Sequence, residues 1–199
     1  DVERSRGLGD VYKRQDFEVI STLLAAGADL EARDQFGLTP LHFVALRGSP
    51  QAITTLLAAG ADLEARDQDG LTPLHYAASG GSPEVITTLL AAGADLRAQA
   101  QVDVTPLHYA ASGGSPEVIT TLLAAGADLR AQAQVDVTPL HIAASRGSPE
   151  AITTLLAAGA DPLARDMGGR RPIDWVGEDS SLYDTAAYWQ LNDATLNSQ

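Results

Sequence analysis

Four histidines, His42, His75, His108 and His141, recur every 33 residues and are the only ones in the chain. Histidine is the side chain suited to proton transfer near neutral pH and the commonest metal ligand. A catalytic base needs a nucleophile or carboxylate in the same pocket. A repeat-wide interval puts successive histidines about 10 Å apart if their elements stack side by side. Two of them cannot then share a metal at ~2.0–2.1 Å. Asp29, Asp62, Asp95, Asp128 and Asp161 carry the same interval, whereas calcium gathers roughly 6–8 oxygens around one point. There is no cysteine, so disulfides, thiol catalysis and thiolate metal sites are excluded. No Gly-rich loop runs into a lysine to cradle phosphate. The spacing therefore predicts no enzyme, cofactor or metal site. It predicts structural roles: each histidine bonds the turn beside its own threonine, and each aspartate caps a turn.

The elements that hold these residues follow from the repeat. Thr-Pro-Leu-His stands at Thr39–His42, Thr72–His75, Thr105–His108 and Thr138–His141. Thr-Leu-Leu-Ala-Ala-Gly-Ala-Asp ends at each of the five aspartates. Residues Thr72 to His108 are identical to Thr105 to His141, a recent copy or a duplication in sequence assembly. Within a unit, Thr39 is a helix N-cap, Pro40 takes the first helical position and His42 falls at N3. Leu41, Val44 and Ala45 face inward on this short helix. Gly48 ends it, and Ser49-Pro50 opens a second. In a later copy Val85, Ile86, Leu89 and Leu90 form a one-sided apolar stripe. Glu84 adds a carboxylate in the first turn, where the helix dipole favours it, and Gly93 is the left-handed stop.

Turn, helix, turn, helix with Thr-Pro-Leu-His opening the first helix resembles the ankyrin repeat, and the Ser-Pro openings and the Ala187–Asp193 ending resemble bacterial members in particular. The fold class expected is all-α, an ankyrin-repeat solenoid of helix-turn-helix units with short β-hairpin loops. A partial N-terminal repeat occupies 16–33, four full repeats 34–165, and a divergent capping repeat 166–199. In that cap Arg171-Pro172-Ile173-Asp174 replaces Thr-Pro-Leu-His, and Tyr183, Tyr188 and Trp189 supply bulk on a last helix. Residues 1–15 stand apart. Lys13 is the only lysine, and Asp10–Gln15 resembles a translated sequencing adapter, so this stretch is read as a non-native or disordered arm. The compartment is then unassigned: the cytoplasm is the default, and export stays open because the native start is read as missing.

Thirteen basic residues against 26 acidic ones give a net charge of −13. Nucleic acid and anionic membranes call for a basic surface, and no apolar run approaches the ~20 residues of a membrane span. The expected partner is another protein, with a basic surface favoured by the field, and the chain is expected to be a monomer. The resemblance implies a concave docking face made of hairpin tips and the exposed side of the first helices. Carried onto this sequence, the partner-binding positions are Phe36, Leu38, Leu46, Arg47, Asp69, Tyr76, Val102, Val104, Val135, Val137 and Arg146. Several tips are apolar, which suits an interface and equally suits valines that stabilise hairpin stacking. One departure from the family stands out: the turn glycines Gly37 and Gly70 become Asp103 and Asp136, a substitution that predicts strain or a changed tip shape. The function expected is a non-catalytic protein-interaction scaffold. The alternative is the interaction or targeting arm of a larger enzyme or secreted effector whose upstream domain is missing.

Overall fold

Proline after a threonine or serine cap sets the pattern of helices. The computed structural model describes residues 18–80, 82–113, 115–177, 180–183 and 185–196. The expected arm over residues 1–15, and the start of the partial repeat at Asp16, lie outside them. Two compact units divide the chain, Asp1–Asp95 and Leu96–Gln199.

In the first unit, α1 covers 18–25, followed by α2 (Pro40–Arg47), α3 (Pro50–Ala58), α4 (Pro73–Gly80) and α5 (Pro83–Ala91). The first helices of successive repeats pack together, α2 on α4, and so do the second helices, α3 on α5. Thr39 is extended at the cap (φ −88°, ψ 166°) with Pro40 at N1, and Gly48 closes α2 in the left-handed region at φ 78°. The core is aliphatic and small: Leu41, Ala45, Ala52, Ile53, Leu56, Leu74, Ala77, Val85, Ile86 and Leu89 are all buried. Each large one contributes on the order of 1.5–3 kcal/mol. Alanines let the short helices approach closely. Gly80 goes further, because a Cβ there would stand 2.4 Å from the Leu46 carbonyl oxygen. Of the apolar residues of α1, Leu23 is exposed while Ile20 and Leu24 are half-buried.

The second unit repeats the scheme with α6 (Pro106–Gly113), α7 (Pro116–Ala124), α8 (Pro139–Arg146) and α9 (Pro149–Ala157). It ends in a 3-10 turn, Pro172–Trp175, and α10 (Ala186–Leu196). The expected all-α class of helix-turn-helix repeats stands. The hairpins are slighter than expected: between the helices, pairing shrinks to turns, with one isolated bridge, Ala133 with Val137, among the described residues. Five residues from turn start to turn end leave no length for a ladder.

The terminal segment differs from its expectation in two respects. Arg171-Pro172-Ile173-Asp174 makes a 3-10 turn rather than a helix, with the Asp174 carboxylate accepting from the Arg171 N–H at 2.8 Å as the histidines do elsewhere. The buried bulk is Leu182, Ala187 and Leu191. Tyr183 precedes α10, and Tyr183 and Trp189 face outward, 42% and 48% exposed. A helix buries one stripe, and positions four apart, 187 and 191, already supply it.

Candidate partner-binding surface

The tips are built on an aspartate in three repeats. Asp34 Oδ1 accepts from the N–H of Phe36 and of Leu38, each at 2.9 Å. Asp67 Oδ1 does the same for Asp69 at 2.9 Å and Leu71 at 2.8 Å, and Asp166 Oδ1 for Arg170 at 2.9 Å. An arginine braces each tip from the side: Arg33, Arg66 and Arg165 donate to the carbonyls of Gly37, Gly70 and Gly169. In the two middle repeats this set is exchanged together. Gln99 and Gln132 stand for the arginine, Ala100 and Ala133 for the aspartate, and Asp103 and Asp136 for the glycine.

Without the carboxylate acceptor the middle tips turn differently. Val102 sits at φ 58° and Asp103 at φ 59°, and Val135 at φ 60° and Asp136 at φ 59°. Only Gly37 and Gly70 are left-handed in the corresponding tips of the first unit. A left-handed residue with a side chain costs about 1–2 kcal/mol, and a β-branched one is an outlier. Both valines are also solvent-facing, 52% and 47% exposed. The strain expected at Asp103 and Asp136 thus extends to the valine before each.

The expected docking positions divide between the two units. In the first, Phe36 is 58% exposed and Leu46 41%, while Arg47 and Asp69 are exposed and Leu38 half-buried. Tyr76 is half-buried. Its hydroxyl donates to Asp67 Oδ2 at 2.7 Å, and its ring stands edge-on to His42, centroids 5.3 Å apart. Adjacent tips are tied, Gln68 N–H donating to the Phe36 carbonyl at 3.0 Å. In the second unit Met167 N–H donates to the Val135 carbonyl at 2.9 Å, so Val135 keeps its side chain outward on a fixed backbone.

Val137 corrects the expectation of a docking residue. It is 5% exposed, and its carbonyl accepts from Ala133 N–H at 2.8 Å and from His108 Nε2 at 3.0 Å. The left-handed pair Val135 and Asp136 reverses the chain, leaving Val135 outward, while Val137 is extended at φ −74°, ψ 125° and buried as part of the core. Val104 and Arg146 do come together, with Tyr109, Ser112, Ile142 and Ser145, around a cleft of about 270 Å³. Tyr109 and Ile142 were not among the residues singled out from sequence. Their signal was present: 43, 76, 109 and 142 are one repeat position, filled by Phe43, Tyr76, Tyr109 and Ile142.

The histidines behave as structural residues. In all four repeats Nδ1 accepts from the N–H of the repeat's own threonine, for His42 from Thr39 at 3.1 Å and for His75, His108 and His141 from Thr72, Thr105 and Thr138. That fixes the proton on Nε2, which donates forward: His42 to Leu71 O at 3.1 Å, His108 to Val137 O at 3.0 Å, His141 to Arg170 O at 3.1 Å. Burial holds these three rings below the ordinary histidine pKa, against the opposing pull of the carbonyl each one bonds. Among the described residues no three His, Asp or Glu side chains are grouped to hold a metal ion. No helix of the described residues is long and apolar enough to cross a membrane.

A family model described as ankyrin repeats (3 copies) matches residues 10–100 and 94–166. No curated protein matches the chain.

Proposed function

The chain belongs to the ankyrin-repeat family, whose repeats generally mediate protein–protein interaction, and on that premise we propose a non-catalytic scaffold that binds a partner protein through its tips and first-helix faces. The observation that carries this reading is the pair of exposed left-handed valines, Val102 and Val135. About half of each valine's surface is open to solvent on strained backbone, and exposed apolar side chains held in this way suit contact with something else. Phe36, Leu46 and the rim of the Val104–Arg146 cleft extend the same character. Within the first unit Leu38, Arg47, Asp69 and Tyr76 stand with Phe36 and Leu46 as its own docking positions, and within the second Val137 supports the Val135 tip from inside. The net charge of −13 favours a partner with a basic surface, since opposite fields speed encounter.

A photoreactive side chain at position 102 or 135, compared with one at Thr120 on the outer face of α7, tests the reading. The tips should capture one and the same protein, and that adduct should disappear when the other valine becomes aspartate. Capture from position 120 with none from the tips would place docking on the opposite face.

A further inference from the structure

In each unit an aromatic ring stands edge-on to the histidine of the repeat before it. Tyr76 meets His42 with centroids 5.3 Å apart, and Trp175 meets His141 at 5.7 Å. Both rings are tied to the aspartate at the base of their own tip. The Tyr76 hydroxyl donates to Asp67 Oδ2 at 2.7 Å, and Trp175 Nε1–H donates to Asp166 Oδ2 at 3.0 Å. At His108 the corresponding residues are exchanged together. Ile142 stands at the ring position, Ala133 at the aspartate position, and Ser112 where the first unit has Leu46. Each replacement is smaller than the residue it replaces, and the cleft of about 270 Å³ lies where they fall. Val104, Ala133 and Ile142 give it apolar walls, the His108 ring (2% exposed) lies at its floor, and Arg146 stands at its rim.

We propose that this cleft, as part of the docking surface already assigned and resting on that reading, takes one aromatic side chain of the partner protein. The partner's ring fills the space that Tyr76 and Trp175 fill at the other two histidines, with an edge toward His108. A cavity of about 150 Å³ with aliphatic walls holds benzene, so the cleft has room for a ring. An aliphatic side chain would gain area alone, whereas a ring adds the edge-to-face contact that the chain itself uses twice. Arg146 supplies a cation at the outer face of the ring, as Arg170 does over Trp175 at 4.8 Å from the ring centroid. Val135, left-handed and outward, lies two residues from Ala133 on the same tip, so the cleft continues the surface that this tip presents. Aromatic anchors seated in pockets carry a large share of interface energy.

The test is a titration of the full chain, followed by methyl resonances, with N-acetyl-phenylalaninamide, N-acetyl-leucinamide and N-acetyl-alaninamide. The Val104, Ala133 and Ile142 methyl signals should shift saturably with the phenylalanine probe, and the alanine probe should leave them in place. The phenylalanine probe should bind roughly fivefold more tightly than the leucine probe, the gain an aromatic pair brings beyond its area. Ile142→Phe places the chain's own ring against His108 and should abolish the shifts at Val104 and Ala133. Ser112→Leu should abolish them from the opposite helix, both at unchanged helical circular dichroism. No saturable shift, equal affinity for the phenylalanine and leucine probes, or undiminished shifts in both variants overturns the proposal. Photocapture of the partner from position 135 should fall several-fold in Ile142→Phe. Undiminished capture in that variant overturns the ring anchor and leaves the tips as the docking surface. No capture from either tip, with the phenylalanine probe still bound, overturns the docking reading and leaves the cleft a ring site.

Discussion

His42 donates its Nε2 proton to the carbonyl of Leu71, 29 residues further on, across 3.1 Å. Its Nδ1 accepts from Thr39 in the same ring. One neutral imidazole therefore caps its own helix and pins the tip of the next repeat, and the same pair of bonds recurs at His108 and His141. Protonation would turn the Nδ1 acceptor into a donor facing another donor.

The pH dependence of stability follows in sign from that arrangement. Burial lowers the pKa of His42, His108 and His141 below the ordinary 6.5. The unfolded chain then takes up protons first as pH falls, so the stability these rings contribute is complete above 6.5 and is lost as pH drops through the folded values. Asp67 and Arg33 face His42, and Asp166, Asp174 and Arg170 face His141. Burial pushes Asp166 up, but bonds from Arg170 and Trp175 outweigh it and hold the carboxyl below 3.8, adding a second decline below that value. Urea midpoints should be level between about pH 7 and 8 and fall below 6.5. A level midpoint down to about pH 5 contradicts the histidine geometry.

Asp67→Ala should cost about 2 kcal/mol, since it removes a charged acceptor for two amides and the Tyr76 hydroxyl. Tyr76→Phe should cost less, about 1 kcal/mol. Chemical denaturation measures both, and equal losses would show that the tip amides gain nothing from the carboxylate.

Val102→Gly should stabilise, although it removes a side chain. Relief of the left-handed strain, about 1–2 kcal/mol, exceeds the ~0.5–1 kcal/mol entropic cost of glycine. Val104→Gly, at φ −73°, should destabilise. A loss at Val102 as large as at Val104 would contradict the turn geometry.

The serine caps should separate. Ser148 Oγ accepts from the Ala151 N–H at 3.3 Å, so Ser148→Ala should cost about 1 kcal/mol. Ser49 Oγ is buried with no hydrogen-bond partner among the described residues, so Ser49→Ala should be neutral or stabilising. Thermal midpoints of the two variants decide it, and equal losses would count against the difference.

What was legible in the sequence was local. Thr-Pro, Ser-Pro and the glycine stops place helix ends because they act on one or two torsions or amides within a turn. The aliphatic stripe places the core because a helix has a fixed period, so Leu41, Ile86 and Leu89 fall inside. The Thr39–His42 bond spans three residues and was legible too. The His42–Leu71 bond spans 29 and depends on how repeats stack. The left-handed Val102 and Val135 arise from the loss of an aspartate acceptor two residues earlier, a change of partner rather than of propensity. Val137 looked like a tip residue because its burial depends on which way the turn sends the chain. The cleft at Tyr109 and Ile142 was hidden because residues 33 apart meet only in the stack.

The docking surface is tested most directly by Val102→Asp with Val135→Asp, measured against the protein captured from the tips. Aspartate tolerates the left-handed region better than valine, so the tips keep their shape and helical circular dichroism stays unchanged. The account predicts loss of partner affinity of at least tenfold at an unchanged spectrum. Undiminished affinity would contradict it.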